Sequence, residues 1–267
     1  MSDAGVTAAK ALVNDTRALL DRLEPADWAA DSAAHGWRVH DVITHMGFFF
    51  NFIADPGLVF PDNPSGKSER LNDAAVRERA DWSTQQAIDY YVEQSAAGLA
   101  TLEALQGPDL RDTPLPMLDL GTYRMSQLSD AVAFDHLVHL TSDLLAPYGP
   151  IPVGDTTIAV EAAIDPAIDW MIAGLPHMCG ATVHPTLTSP VGLRLTGATE
   201  RSFVIARDSD AAGVAVTETA DLPDDVATSA ATDFLRWGTT RTAWRSSVTT
   251  SGDRRLVSAV LDAIDIV

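Results

Sequence analysis

The stretch AFDHLVHLTSD sets Asp135 and His139 four residues apart. On a helix, at about 100° per residue, that spacing returns both side chains to one face within about 40°. A carboxylate and an imidazole placed this way can share one divalent cation. The same separation recurs upstream in Asp41 and His45, and an inward His45 could approach Asp135 and His139 across a bundle, where metals are commonly held by carboxylates and histidines of facing helices. Three ligands of this kind leave a position for water or substrate, the arrangement of a catalytic rather than a structural zinc. Spacing alone leaves a second reading open, in which His45 and His139 are half-buried histidines bonded to neighbouring carboxylates and His136 is a solvated surface residue.

The elements that must position these residues are visible as apolar periodicity. Ala9, Leu12, Val13, Leu19, Leu20 and Leu23 recur at helical spacing before Pro25, which predicts a first helix over Val6 to Leu23. WRVHDVITHMGFFFNFIADPG carries a broad stripe of Val39, Val42, Ile43, Met46, Phe49, Phe50 and Ile53, a second and heavily buried helix. PGLVFPDNPSGKSER, with three prolines and two glycines, reads as a long connection. A third helix is predicted from about Ser83 to Leu105, with its N-cap at Ser83 or Thr84, and a fourth from about Ser126 to Leu145. Four such helices argue for a four-helix bundle over residues 1–150. After Pro150 to Pro152 the pattern changes. A short helix near Pro166 to Ile172 precedes VGLRLTG, SFVIARD and GVAVTET, which suit antiparallel strands. Helical patterns return in VATSAATDFLRWG and RRLVSAVLDAIDIV, so residues 151–267 are expected to form a smaller α+β domain.

Composition bounds the chemistry. The 267 residues are 46% hydrophobic and 21% charged, enough to bury a core in one large domain or two ordinary ones. The formal charge of −19, from 37 acidic against 18 basic residues, repels phosphate backbones and anionic lipid, so neither nucleic acid nor a membrane surface is an expected partner. No run approaches the ~20 apolar residues of a membrane span and the N-terminus lacks a secretion signal, so a cytosolic protein, monomer or homodimer, is expected. With Cys179 the single cysteine, any metal must rest on histidine and carboxylate. Cys179 lies between His177 and His184, but no acid partner or oxyanion turn accompanies it, which favours a buried structural thiol. Phe48, Phe49 and Phe50 read as core, and Trp37 as an anchor at the start of the second helix. Lys67, Arg70, Arg77 and Arg79 form the densest basic cluster and mark the adjoining loop as a candidate lid. Arg194, Arg236 and Arg241 read as solvated, each able to bind an anion.

GWRVHDVITHM, with Gly36, Trp37, Asp41 and His45, resembles the second-helix signature of the DinB-like superfamily, and within it the mycothiol-dependent maleylpyruvate isomerase family. The family's fourth helix carries Glu-x-x-x-His where this chain has Asp135 and His139. Similarity continues through VGLRLTGATERSFVIARD and DFLRWG to the closing residues, which resemble a sterol-carrier-like C-terminal domain. The resemblance implies a divalent metal, usually zinc, on His45, Asp135 and His139, with mycothiol as thiol cosubstrate and a small electrophilic molecule as substrate. It further implies attack by the thiolate on an electron-poor double bond, with rotation and elimination giving isomerisation, or with loss of another group giving S-transfer. Two positions depart from the pattern. Asp135 is one methylene shorter than glutamate, and His136 could substitute for it as an i, i+3 partner of His139. Where the family often reads Trp-Gly-Arg, this chain has Trp237, Gly238 and Thr239, with Arg241 two positions later, so an arginine gripping a substrate carboxylate is either absent or displaced to Arg241.

Overall fold

The computed structural model describes residues 2–208 and 213–266. The chain divides into two compact units, Met1–Ala167 and Ile168–Val267. The first is helical and the second is built on a sheet, as the change of pattern anticipated. Among the described residues no helix is long and apolar enough to cross a membrane.

In the first unit, α1 (Ser2–Leu20), α3 (Val39–Ala54), α5 (Thr84–Ala104) and α6 (Leu128–Val138), the last continued by a π-helical segment to Leu144, are the four long elements, with the short α2 (Pro25–Ala29) ahead of α3. α3 packs along α5, and α1 packs against α6 and α5. Their seam buries Leu12 and Leu19 of α1, Ile43, Met46 and Phe50 of α3, Leu102 of α5 and Leu137 of α6. A Cβ on Gly98 of α5 would lie 2.4 Å from the Phe50 ring, so the helices approach this closely because position 98 has no side chain. α5 begins at the expected cap: Ser83 Oγ accepts the Gln86 N–H and Gln86 Oε1 accepts the Ser83 N–H, satisfying donors that the first turn leaves unpaired.

Two expectations change here. The segment after Pro56 is not loop throughout, because Ser68–Glu78 forms α4. Its sequence, SERLNDAAVRE, buries only Ala75, Val76 and the Ser68 cap region, too narrow a stripe to stand out as periodicity. Of the basic residues assigned to a lid, Arg70 and Arg77 lie on this helix, Lys67 pairs with Asp119 at 3.1 Å, and Arg79 is buried. The Arg79 guanidinium stacks over Phe48, Trp82 and Tyr90 at 5.0 to 5.3 Å and is a structural cation. Between α5 and α6 a hairpin pairs β1 (Pro114–Pro116) with β2 (Thr122–Arg124).

The helix expected at Pro166 starts earlier, as α7 (Val160–Met178), and runs across the division between the units. Asp15 Oδ2 accepts the Ala159 N–H at 2.8 Å just ahead of it. Beyond the short α8 (Gly180–Val183), the second unit folds β3 (Val191–Thr196), β4 (Arg201–Arg207), β5 (Val214–Glu218), β6 (Val226–Ala230) and β7 (Val248–Ser251) into one sheet of order β5-β4-β3-β6-β7. The expected antiparallel pairing holds for β3–β4 and β4–β5; β6 and β7, not expected as strands, also pair antiparallel, and β3 and β6 are parallel, Gly192 opposite Val226. VATSA, read as helical, is therefore strand β6. Helix begins at Ala231 with α9 (Ala231–Gly238), and α10 (Arg254–Leu261) closes the unit on an Asp253 cap. Leu193, Leu195, Phe203, Ile205, Phe234, Trp237, Val257 and Val260 are its buried core, and Trp237 Nε1 donates to Ser229 Oγ at 2.9 Å.

Candidate metal centre

α3 and α6 bring His45, Asp135 and His139 together in the first unit. His45 Nε2 lies 3.1 Å from Asp135 Oδ1, and His139 Nε2 lies 3.5 Å from the same oxygen. One nitrogen or oxygen from each residue falls within 4.8 Å of the others, a group able to hold a metal ion. For ligand bonds of about 2.0–2.1 Å, tetrahedral geometry puts donor atoms roughly 3.3 Å apart. The two edges that run through Asp135 bracket that separation.

His139 opens a π-helical segment, His139–Leu144, in which the Leu145 N–H bonds back to the Leu140 carbonyl. Such wide turns inside helices are frequent at functional sites. Here the segment carries Asp143, fully buried, whose Oδ2 takes the Nδ1 hydrogen of His139 at 2.7 Å. A carboxylate can only accept, so Nδ1 keeps its hydrogen and Nε2 is the nitrogen that could ligate, an arrangement that orients metal-bound histidines generally. The Asp143 backbone is itself fixed: its carbonyl accepts the Ala33 N–H at 2.9 Å. A Cβ on Gly149 would stand 2.6 Å from that same oxygen and 2.2 Å from the Leu144 carbonyl carbon, so the returning chain passes there only as glycine. Trp37 covers the pair from the side, its ring centroid 4.9 Å from that of His45 and 6.4 Å, nearly parallel, from His139. It is held by a bond from Nε1 to Asp73 Oδ1 on α4.

The charges follow from this crowding. Burial lowers the pKa of His45, and its bond to Asp135 only partly opposes that. Burial lowers His139 too, but there Asp135 and Asp143 together outweigh it and push the imidazole up to about 9. Burial raises Asp135, yet the His139 charge and the bonds from His136, His139 and His45 hold its carboxyl well below the usual range. A proton on His139 thus occupies the electrostatic position that a cation would take.

The remaining candidates are placed as follows. Asp41 does not join the cluster: it takes three bonds from Arg38, at 2.9 Å from its N–H and at 3.0 and 2.8 Å from its guanidinium, and it caps α3. His136 is fully buried, which overturns its reading as a surface residue. It lies outside the metal-capable group, with Nε2 3.2 Å from the Tyr91 hydroxyl. Cys179 is buried as expected, its Sγ bonded to the Asp265 carbonyl and N–H at 3.1 and 3.2 Å, and burial pushes its thiol up to about 11. Arg241 is exposed in the second unit, on the turn after α9, where its N–H bonds to the Arg236 carbonyl at 2.9 Å. Asp143 escaped the sequence reading although the signal was present, since 135, 139 and 143 form one continuous four-residue ladder.

Fold and site define a helical-bundle protein with a buried His–Asp–His cluster on facing helices, joined to an α+β unit. Residues 9–141 match the family model described as the mycothiol maleylpyruvate isomerase N-terminal domain, and the N-terminal part of the chain belongs to that family. Two solved structures share the fold over 94% of this chain and 93% of theirs, each with a TM-score of 0.56. One is a mycothiol-dependent maleylpyruvate isomerase, at 12% identity, and the other a histidine-to-alanine mutant under the same description, at 11%. No curated protein matches the sequence significantly.

Proposed function

We propose that the chain is a metal- and mycothiol-dependent enzyme of the isomerase or S-transferase type, with one divalent cation, zinc in the first instance, on His45, Asp135 and His139. The carrying observation is the Asp143–His139 bond beside the shared Asp135 oxygen. A buried carboxylate that fixes the imidazole hydrogen on Nδ1 has oriented Nε2 for a ligand, which a merely packed histidine does not need.

A cation there would lower the pKa of a thiol brought to it, so that thiolate is present at neutral pH. Asp135 supplies the negative charge that draws a cation to the two imidazoles, and the extra proton of His139 would leave as the cation enters. Trp37 shields one side of the two rings from water. Arg241 is proposed to bind a substrate anion. Similarity to mycothiol-dependent maleylpyruvate isomerases supports the choice of thiol.

Purified without chelator, the protein should carry about one equivalent of divalent metal per chain, by the three-ligand argument. Mycothiol added to that form should bind saturably. Metal below about a tenth of an equivalent after incubation with excess zinc overturns the metal reading, and full metal without thiol binding overturns the choice of cosubstrate.

A further inference from the structure

Asp135 has a third neighbour besides His45 and His139. Its Oδ2 lies 3.1 Å from Nδ1 of His136. At this distance the angles fall short of a hydrogen bond, and both atoms, fully buried, have no hydrogen-bond partner elsewhere. A carboxylate oxygen and a ring nitrogen so placed are each other's one means of satisfaction, and a buried polar group left unpaired is costly.

The far side of the same ring fixes its hydrogen. Because Oδ2 only accepts, Nδ1 must carry the hydrogen, and a ring with a single hydrogen then presents Nε2 as an acceptor. Tyr91 on α5 meets it with a hydroxyl 3.2 Å away. Tyr91 is itself fully buried, and burial drives its pKa upward, so the hydroxyl keeps its proton and donates. Phe50 stands edge-on to the His136 ring at 5.0 Å and limits its rotation. A polar line therefore runs from α5 through α6: Tyr91 hydroxyl, His136, Asp135, and then the histidine pair.

We infer that His136, oriented by Tyr91, is a positioning residue for Asp135: by holding Oδ2 it presents Oδ1, singly and in one direction, to a cation bound with His45 and His139. The inference rests on the metal reading above and deepens it. His136 contacts no cation itself. Asp135 has only two side-chain torsions, and with Oδ2 tethered the carboxylate cannot turn to bind through both oxygens, which sets the site toward single-oxygen coordination.

Cobalt(II) titration, followed by its visible absorption and by competition with a coloured chelator, tests this without recourse to activity. His136→Leu keeps the volume roughly and removes the donor; it should weaken cobalt binding about 10- to 100-fold, the range for lost outer-shell partners. His136→Asn places an amide N–H near the position of Nδ1–H and should recover affinity to within about threefold of wild type. Tyr91→Phe removes only the hydroxyl and should weaken binding by roughly three- to tenfold and alter the cobalt spectrum. Melting of the metal-free proteins separates positioning from packing, because a packing role lowers all the melting temperatures and leaves the affinity of the folded protein unchanged. Wild-type cobalt affinity in both His136→Leu and Tyr91→Phe, with loss in His139→Ala, overturns the inference and leaves the metal site standing. Absence of cobalt binding by the wild type overturns both.

Discussion

Asp41 and Asp135 are both nearly buried carboxylates on helices of the first unit, each four residues ahead of a histidine, with 9% and 11% of their side chains exposed. Burial therefore does not distinguish them; their neighbours do. Asp41 stands in the first turn of α3, where the Arg38 N–H and guanidinium supply three hydrogen bonds from within its own cap. Its charge is already neutralised. Asp135 stands mid-helix, where no backbone N–H is free, and is met only by imidazoles. Those donors can yield their place to a cation, whereas a guanidinium cannot. The same spacing thus gives a capping aspartate apart from the metal-capable group in one helix and two members of that group in the other, and the aspartate's position within the helix decides which.

The largest expected effect comes from removing a ligand from the second pair. His139→Ala should weaken metal binding by well over the roughly 10- to 100-fold range of outer-shell losses. Chelation should then lower the melting temperature of wild type and leave that of the variant unchanged, since metal stabilises only a folded state that binds it. Equal responses in the two proteins would remove His139 from the site.

Asp41→Asn should act on stability alone. Loss of a charged, buried acceptor is expected to lower the unfolding free energy by about 1–3 kcal/mol, measured in urea, with cobalt affinity kept. The pH dependence has a definite sign. Burial favours the neutral acid, but His40 and Arg38 outweigh it and hold the folded Asp41 carboxyl far below its unfolded value near 4. Its contribution is then fully present above about pH 4 and lost as pH falls below that. The stability gap between wild type and Asp41→Asn should narrow on acidification; a gap constant from pH 7 to pH 3 would contradict the assignment.

Asp135→Glu should have the smallest effect. The longer carboxylate keeps the charge and still faces both histidines, so metal binding within about tenfold of wild type is expected, the remainder reflecting a disturbed fit against His136. Asp135→Asn should bind more weakly than Asp135→Glu. The reverse order would show that the charge of Asp135 does not matter and that the two pairs are alike after all.

Much of this contrast was legible in the sequence. An inward His45 was one of two readings left open, while the i, i+4 pairs followed from spacing and the bundle from apolar periodicity. The place of His136 did not, for a physical reason: Leu128 to Phe134 and His136 to Val138 are all buried, and a helix without a solvent face has no outward position to assign. Asp143 was legible as the next step of the 135, 139, 143 ladder and was passed over. β6 was misread because Val-Ala-Thr-Ser-Ala has little strand alternation, and its burial comes from pairing with β3 and β7, which no local pattern reports. α4 was missed because its buried stripe is short.

Gly149 extends the site into a part of the chain that carries no chemistry. It has no side chain to bind, bond or titrate, yet any Cβ there pushes against the main chain of Asp143 and Leu144, and Asp143 holds the hydrogen that sets His139 for ligation. In a saturation survey of the first unit scored by metal retention, position 149 should therefore behave as a ligand does, intolerant even of alanine. Neighbouring Tyr148, its side chain at the surface, should accept most replacements. A ranking of residues by chemical type would discard this glycine, and a ranking by what each atom's volume displaces would keep it.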